Sequence, residues 1–165
     1  METQDALRTL YKELVRDETP MVRRAAALNI GAFATSMDSK DVHQQLVPLL
    51  SSLLNDDQES VRKLALESTA ELVKALADGD EGITDVLDAC LETVIRDHSW
   101  RVRHAVTARM PDLAEAFGTE LSADRLTKPY VGMLQVRPAQ LTCAADLHLD
   151  LAASRAFATL LLNSV

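Results

Sequence analysis

Few residues of this chain have the types and spacing that a reaction would need. Asp97 and His98 are adjacent and could act as a general acid and base, but His43, His104 and His148 do not stand at ligand spacing from one another. The chain has no His-Glu-x-x-His, no Cys-x-x-Cys, no Gly-x-Ser-x-Gly elbow and no phosphate-binding glycine loop. No catalytic residue, metal site or cofactor is therefore expected.

The two cysteines form no redox or metal motif. Cys90 and Cys143 lie far apart in the sequence, and Cys90 shares an apolar column with Leu10 and Leu49 in the repeat described next. The prediction for Cys90 is a buried free thiol.

Asp97 has a better explanation as a member of a repeated motif. The motif Asp-x-x-x-x-Val-Arg occurs three times, and its valines are 39 and 41 residues apart. A period near 40 with helical patterning on both sides is typical of HEAT and armadillo repeats. The copies are Asp17…Val22-Arg23, Asp56…Val61-Arg62 and Asp97…Val102-Arg103.

Apolar residues recur at fixed distances before and after each of these valines. Steps of three, four and seven place each set on one face of a helix. Each repeat is therefore predicted to be a helix A, a short turn that carries the aspartate, and a helix B. The predicted fold class is all-α, an α-solenoid of HEAT-type hairpins stacked in a right-handed superhelix.

The repeats predict a solenoid over residues 1–134 and a divergent segment over residues 135–165, for which a capping helix is one interpretation. Pro48 lies in helix A of the second copy and Pro111 in helix B of the third, and each is expected to kink its helix. The predicted repeats cover residues 1–38, 39–79 and 80–118, with a partial fourth over 119–134.

Composition narrows the class of function. The chain has 165 residues, 47% of them hydrophobic and only 4% aromatic, which suits an aliphatic core between closely stacked helices. A net charge of −8 argues against a general nucleic-acid binder, which needs a surplus of Lys and Arg. The acidic N-terminus does not resemble a signal peptide, and no apolar run is long enough to span a membrane. A cytoplasmic protein is expected, with the nucleus as a second location.

The aspartate and arginine of the motif admit two interpretations. In the favoured, structural one, each aspartate caps helix B or accepts hydrogen bonds from an arginine of a neighbouring repeat. The charges would then form a ladder that fixes the register between repeats. In the other interpretation, the same charges face a partner protein. The ladder would consist of Arg23, Arg62, Arg103, Asp17, Asp56 and Asp97.

Two turn residues are not explained by repetition. Trp100 is the only tryptophan, and the same column holds Pro20 and Glu59 in the other copies. Arg101 follows it directly. Because Trp and Arg are enriched at the energetic centres of interfaces, this pair is a candidate partner contact, with local packing as the alternative.

Arg24 belongs to a column that is basic in every copy, since Lys63 and His104 occupy the equivalent positions. A basic ridge on an acidic protein suits an acidic loop of a partner.

These turns carry a specific resemblance. The string Thr-Pro-Met-Val-Arg-Arg at residues 19–24, the run from Asp56 to Ala65 and the string Ser-Trp-Arg-Val-Arg at residues 99–103 resemble consecutive HEAT repeats of the scaffold (A) subunit of serine/threonine protein phosphatase 2A. The resemblance is collinear over residues 1 to about 134 and is to the middle repeats of that family. It ends where the next motif would fall, because Arg137 and Thr142 stand where an aspartate and a valine are expected.

The resemblance implies a non-catalytic scaffold whose intra-repeat turns hold a regulatory subunit toward the N-terminal part and the catalytic subunit toward the C-terminal end. The middle repeats that this chain resembles lie on the regulatory-subunit side, so a regulatory subunit is the expected partner, ahead of direct binding to the catalytic subunit. Carried over by position, the residues on or beside that ridge are Pro20, Arg23, Arg24, Trp100 and Arg101. The alternatives are another HEAT-repeat adaptor, a small HEAT-like enzyme, or a truncated fragment that has lost its function.

Overall fold

The computed structural model describes residues 2–76, 81–117 and 125, and every regular element in those ranges is helical. The chain divides into two compact units, residues 1–89 and 90–165. The helices are α1 Glu2–Val15, α2 Pro20–Ala34, α3 Ser39–Asp41, a π-helical segment Val42–Leu46, α4 Val47–Leu54, α5 Glu59–Lys74, α6 Glu81–Arg96 and α7 Trp100–Phe117.

The first hairpin pairs α1 with α2. Pro20 begins α2, where its missing N–H costs no helical hydrogen bond. Tyr11 and Val15 are buried in α1. The Tyr11 ring stacks on Phe33 with centroids 4.4 Å apart, and its hydroxyl donates to the Ala26 carbonyl oxygen at 2.6 Å. Burial raises the pKa of Tyr11.

Helix A of the second hairpin changes its winding instead of breaking at Pro48. The segment Val42–Leu46 is π-helical, and the N–H of Val47 donates to the carbonyl of Val42, five residues earlier. Proline cannot donate a hydrogen bond to the residue four positions before it, so a wider turn ahead of Pro48 accommodates the missing donor. The predicted disturbance at Pro48 is therefore a π turn.

The two hairpins pack most closely through their B helices, α2 and α5. The hydroxyl of Ser68 donates to the Leu28 carbonyl at 3.0 Å. A Cβ at Gly31 would lie only 2.5 Å from the Cβ of Glu71, so glycine is required for this approach. The largest fully buried side chains of the two hairpins are aliphatic: Ile30, Leu46, Leu50, Leu53, Leu54, Leu66 and Leu72.

Equivalent positions of α1 and α4 differ in burial. Leu10 is 50% exposed and Leu14 is 37% exposed, whereas their equivalents Leu49 and Leu53 are 4% and 1% exposed. The first hairpin covers that face of the second. The same face of the first hairpin lies open beside a groove of about 490 Å³, lined by Tyr11, Leu14, Val22, Ala25, Ala26, Asn29, Ala32, Phe33 and Ser36.

In the second unit, α7 continues across Pro111 as one helix from Trp100 to Phe117. Val102, Leu113 and Phe117 are buried, as their columns predict. The predicted fourth helix A and the segment 135–165 lie outside the described residues, and so does the side chain of Trp100. No described helix is both long and apolar enough to cross a membrane.

Candidate functional site

The same type of hydrogen bond occurs in each of the three intra-repeat turns. In each turn the backbone N–H two residues after the aspartate donates to the aspartate Oδ1: Thr19 to Asp17 at 2.7 Å, Gln58 to Asp56 at 2.8 Å and Ser99 to Asp97 at 2.8 Å. In the first two turns the N–H belongs to the residue that precedes helix B, and that residue's side chain makes no cap. The aspartate therefore closes the turn and does not cap the helix.

Each motif arginine folds back onto its own turn. Nη1 of Arg23 donates to the Asp17 carbonyl at 2.9 Å, and Nη1 of Arg62 donates to the Asp56 carbonyl at 2.9 Å. Nη1 of Arg103 does the same to Asp97 at 2.7 Å. These bonds satisfy turn carbonyls that precede helix B, so the aspartate and the arginine both stabilise the turn.

Arg23 also reaches the next hairpin. Its Nε donates to Asp56 Oδ2 at 2.6 Å, and its Nη2 donates to Asp56 Oδ1 at 3.0 Å and to Asp57 Oδ1 at 2.7 Å. With the carbonyls of Asp17 and Glu18, at 2.9 and 3.2 Å, all five guanidinium N–H donors are occupied. The guanidinium of Arg23 therefore makes its hydrogen bonds within the chain.

The electrostatic interactions in this contact favour the charged forms of Arg23 and Asp57. The hydrogen bond with Asp56 raises the pKa of Arg23, and the charges of Asp56 and Asp57 act in the same direction. Hydrogen bonding with Asp56 and Gln58, together with the positive charge of Arg23, lowers the pKa of Asp57. The pair Arg23 and Asp56 is largely enclosed, with side chains 13% and 8% exposed.

The predicted contact residues fall into two groups. Pro20 and Arg24 are exposed at the start of α2, and the Arg24 Nη1 lies 3.6 Å from the sulfur of Met21. In the second unit Arg101 is exposed, and its N–H donates to the Ser99 hydroxyl at 3.2 Å. Arg23 stands apart from both groups, since its donors are used.

The basic column has a different setting in each repeat. Arg24 and Lys63 are both exposed, and Lys63 lies 3.8 Å from Glu67 on the same helix, whereas His104 is half-buried. Sequence reasoning missed Met21, which is 67% exposed next to Arg24. Its place in the column of Ser60 and Arg101 could have indicated a solvent-facing position.

The described ranges contain no group of three His, Cys, Asp or Glu side chains placed to hold a metal ion. His43 pairs with Asp85 at 3.1 Å, which joins the second hairpin to the start of α6. Cys90 is buried, and it forms no disulfide within the part of the chain that the structure describes.

The repeats and their turns match known proteins. A model of the HEAT-like repeat matches residues 20–67. The chain is 37% identical over 119 residues to the A-type regulatory subunit of protein phosphatase PP2A from Schizosaccharomyces pombe, a match that covers 72% of this chain and 20% of the relative. This chain is a HEAT-repeat homologue of the A-type regulatory subunits of phosphatase 2A. The all-α class and the family resemblance are confirmed.

Two other relatives agree. The A-type PP2A regulatory subunit of Saccharomyces cerevisiae is 31% identical over 129 residues, which is 73% of this chain and 20% of that protein. The phosphatase 2A scaffold subunit of Dictyostelium discoideum is 42% identical over 48 residues, or 29% of this chain and 8% of that protein. The chain spans about a fifth of the length of the first two relatives. The names of these relatives describe regulatory and scaffold subunits.

Proposed function

We propose that this chain is a non-catalytic scaffold segment that binds protein partners of the phosphatase 2A holoenzyme through its intra-repeat turns. The main support for the proposal is that the adjacent residues Arg23 and Arg24 have different surroundings. Arg23 makes five hydrogen bonds within the chain, two to its own turn and three to the next turn, while Arg24 is exposed on the helix that follows its turn. A rigid turn that presents an exposed cation loses little conformational entropy when it binds.

The chemistry of the surface suits an acidic segment of the partner. Arg24 and Met21 form a small exposed patch in which a cation lies beside an apolar thioether. A partner carboxylate next to an aliphatic side chain would complement both groups. By position, Pro20 and Arg101 belong to the same kind of surface in their own units. The partner we favour is a regulatory subunit of the phosphatase rather than its catalytic subunit, met in the cytoplasm or the nucleus.

The test is binding of the purified full chain to purified phosphatase 2A regulatory subunits and, separately, to the catalytic subunit. We expect Arg24→Glu to weaken binding to a regulatory subunit, and Arg24→Glu/Arg101→Glu to abolish it. Lys40→Glu is the matched control. It makes the same charge reversal at an exposed residue of α3, beyond the far end of α2, a helix about 22 Å long.

Equal losses with Lys40→Glu and Arg24→Glu would show that only net charge matters and would overturn the role of the turns. Failure of the folded wild-type chain to bind any regulatory subunit would overturn the proposal itself. Circular dichroism of each variant separates loss of the contact from loss of the helices.

A further inference from the structure

Thr19 stands directly before Pro20, and the scaffold role gives the side chain of Thr19 no task. Thr19 is the only serine or threonine in the chain that precedes a proline, since the residues before the other prolines are Val47, Met110, Lys128 and Arg137. We propose that Thr19 is phosphorylated by a proline-directed serine/threonine kinase, and that the phosphate opposes partner binding at Arg24.

The hydroxyl of Thr19 has no structural task in the described residues. Thr19 precedes α2 at the position where a threonine side chain commonly caps the helix, yet its oxygen makes no capping hydrogen bond. The backbone of Thr19, not its side chain, makes the hydrogen bonds at this position. Its N–H donates to Asp17, and its carbonyl accepts from Val22 and Arg23. The hydroxyl is therefore available without disturbing the turn.

The local geometry presents this hydroxyl to an enzyme. Thr19 and Pro20 are both exposed, and the backbone of Thr19 is extended, with φ −83° and ψ 115°. Residues 17–19 lie outside the helices. Pro20 has no N–H and is the first residue of α2, so recognition of its ring breaks no helical hydrogen bond.

The transfer needs only ATP and the kinase. The Thr19 Oγ1 attacks the γ-phosphorus of ATP, and the bond from that phosphorus to the bridging oxygen of the β-phosphate breaks, which releases ADP. The hydroxyl proton passes to the catalytic base of the kinase.

The phosphate would reverse the charge of the turn. Residues 16–24 contain three arginines and two carboxylates, so their formal charge is positive. A phosphothreonine adds about −1.5 to −2 at neutral pH, which makes the same stretch negative. The phosphate itself would be favourable at the start of α2, where the first-turn amides lack intrahelical acceptors. An acidic partner segment would then meet repulsion where it met Arg24.

The first experiment concerns the modification alone. The purified full chain is incubated with ATP and a proline-directed kinase of the cyclin-dependent or mitogen-activated class, and phosphate is located by mass spectrometry. We expect one phosphoryl group on Thr19, none in Thr19→Val, and a large loss of rate in Pro20→Ala, which keeps the hydroxyl. A peptide of residues 13–24 serves as a control for the motif. Phosphorylation of the peptide but not of the folded chain would overturn the proposal, as would equal rates in Pro20→Ala.

The effect on binding rests on the proposed function and is measured separately. We expect the phosphorylated chain to bind a phosphatase 2A regulatory subunit on the order of tenfold more weakly than the unmodified chain, and the difference to shrink at high salt. Unchanged affinity of the phosphorylated chain would overturn the regulatory part. If the unmodified chain binds no subunit, the proposed function fails, while the phosphorylation result stands on its own.

Discussion

The guanidinium of Arg23 holds the carboxylate of Asp56 with two hydrogen bonds, of 2.6 and 3.0 Å, across the junction between consecutive hairpins. Bidentate pairing of this kind is both strong and directional. The same guanidinium is bonded to the carbonyls of its own turn. One side chain of α2 therefore joins the turn between α1 and α2 to the turn before α5.

This arrangement predicts strong coupling between the two residues. Arg23→Lys keeps the charge but loses the fork of donors, so we expect a clear drop in the midpoint of urea unfolding. A cycle of Arg23→Ala, Asp56→Ala and the double variant should show that the second substitution costs much less once the first is made. Additive losses would mean that the two side chains act independently. Arg24→Ala, on the neighbouring exposed residue, is the control and should change the midpoint little.

Tyr11→Phe tests the buried hydrogen bond of the first hairpin. The ring and its stacking on Phe33 are kept, while the bond to the Ala26 carbonyl is lost. We expect the free energy of unfolding to fall by about 1 kcal/mol, the usual net contribution of such a bond. Chemical denaturation measures it. A stability equal to that of the wild type would show that the hydroxyl contributes nothing.

Burial of Tyr11 should also make the stability of the protein depend on pH in the alkaline range. Its folded pKa lies above the ordinary value of 10.0 because the phenol is buried. Above about pH 10 the unfolded chain loses the phenolic proton while the folded chain keeps it, so the free energy of unfolding falls as pH rises, by up to about 1.4 kcal/mol per unit. Below pH 10 this contribution is fully present and constant. Tyr11→Phe should show a shallower loss between pH 10 and 11, and an identical slope would contradict the assignment.

Gly31→Ala tests the close approach of α2 and α5. Alanine is the better helix former by about 1 kcal/mol, yet its methyl group would collide with the Cβ of Glu71 and come within 3.1 Å of the Ser68 carbonyl. Overpacking typically costs about 1–3 kcal/mol, so we expect a net loss of stability. Glu71→Gly should relieve part of the penalty in the double variant, whereas Glu71→Ala should not, because it keeps the Cβ. A more stable Gly31→Ala protein would show that the helices move apart freely.

Leu10→Ala and Leu49→Ala compare the same column in two repeats. Leu10 is half-exposed and Leu49 is buried. We expect a change within about 0.5 kcal/mol at Leu10 and a loss of about 3 kcal/mol at Leu49. Equal losses in urea unfolding would mean that the outer face of the first hairpin is covered in solution, for example by association. Sedimentation at several concentrations would then distinguish that case.

The sequence predicts the helices well because local patterning determines them. The turns at Asp17, Asp56 and Asp97 fall between helices A and B, and Val61, Val102, Leu72 and Leu113 are buried as their columns require. The exposure of Leu10 was not predictable from its column, because burial depends on the neighbour that covers a residue and not on the residue itself.

Other features depend on three-dimensional detail. The π turn before Pro48 is one of several ways to accommodate a missing donor, and a sequence does not choose among them. The ladder hypothesis placed aspartates beside arginines of neighbouring repeats without assigning pairs, and it did not foresee Asp57 as a second acceptor for Arg23, since both carboxylates must be placed before their distances can be compared. The separate roles of Arg23 and Arg24 likewise depend on which way adjacent side chains leave the helix.

The internal hydrogen bonds of Arg23 also affect how a partner would recognise more than one repeat. Since the arginine ties one turn to the next, the interval between the first two turns is set by the packing distance of neighbouring helices, about 10 Å. A binding segment would have to carry its own contact groups at that interval. A protein that carries suitable side chains at a different spacing would bind poorly. The Arg23–Asp56 contact would therefore contribute to selectivity by spacing as well as to stability.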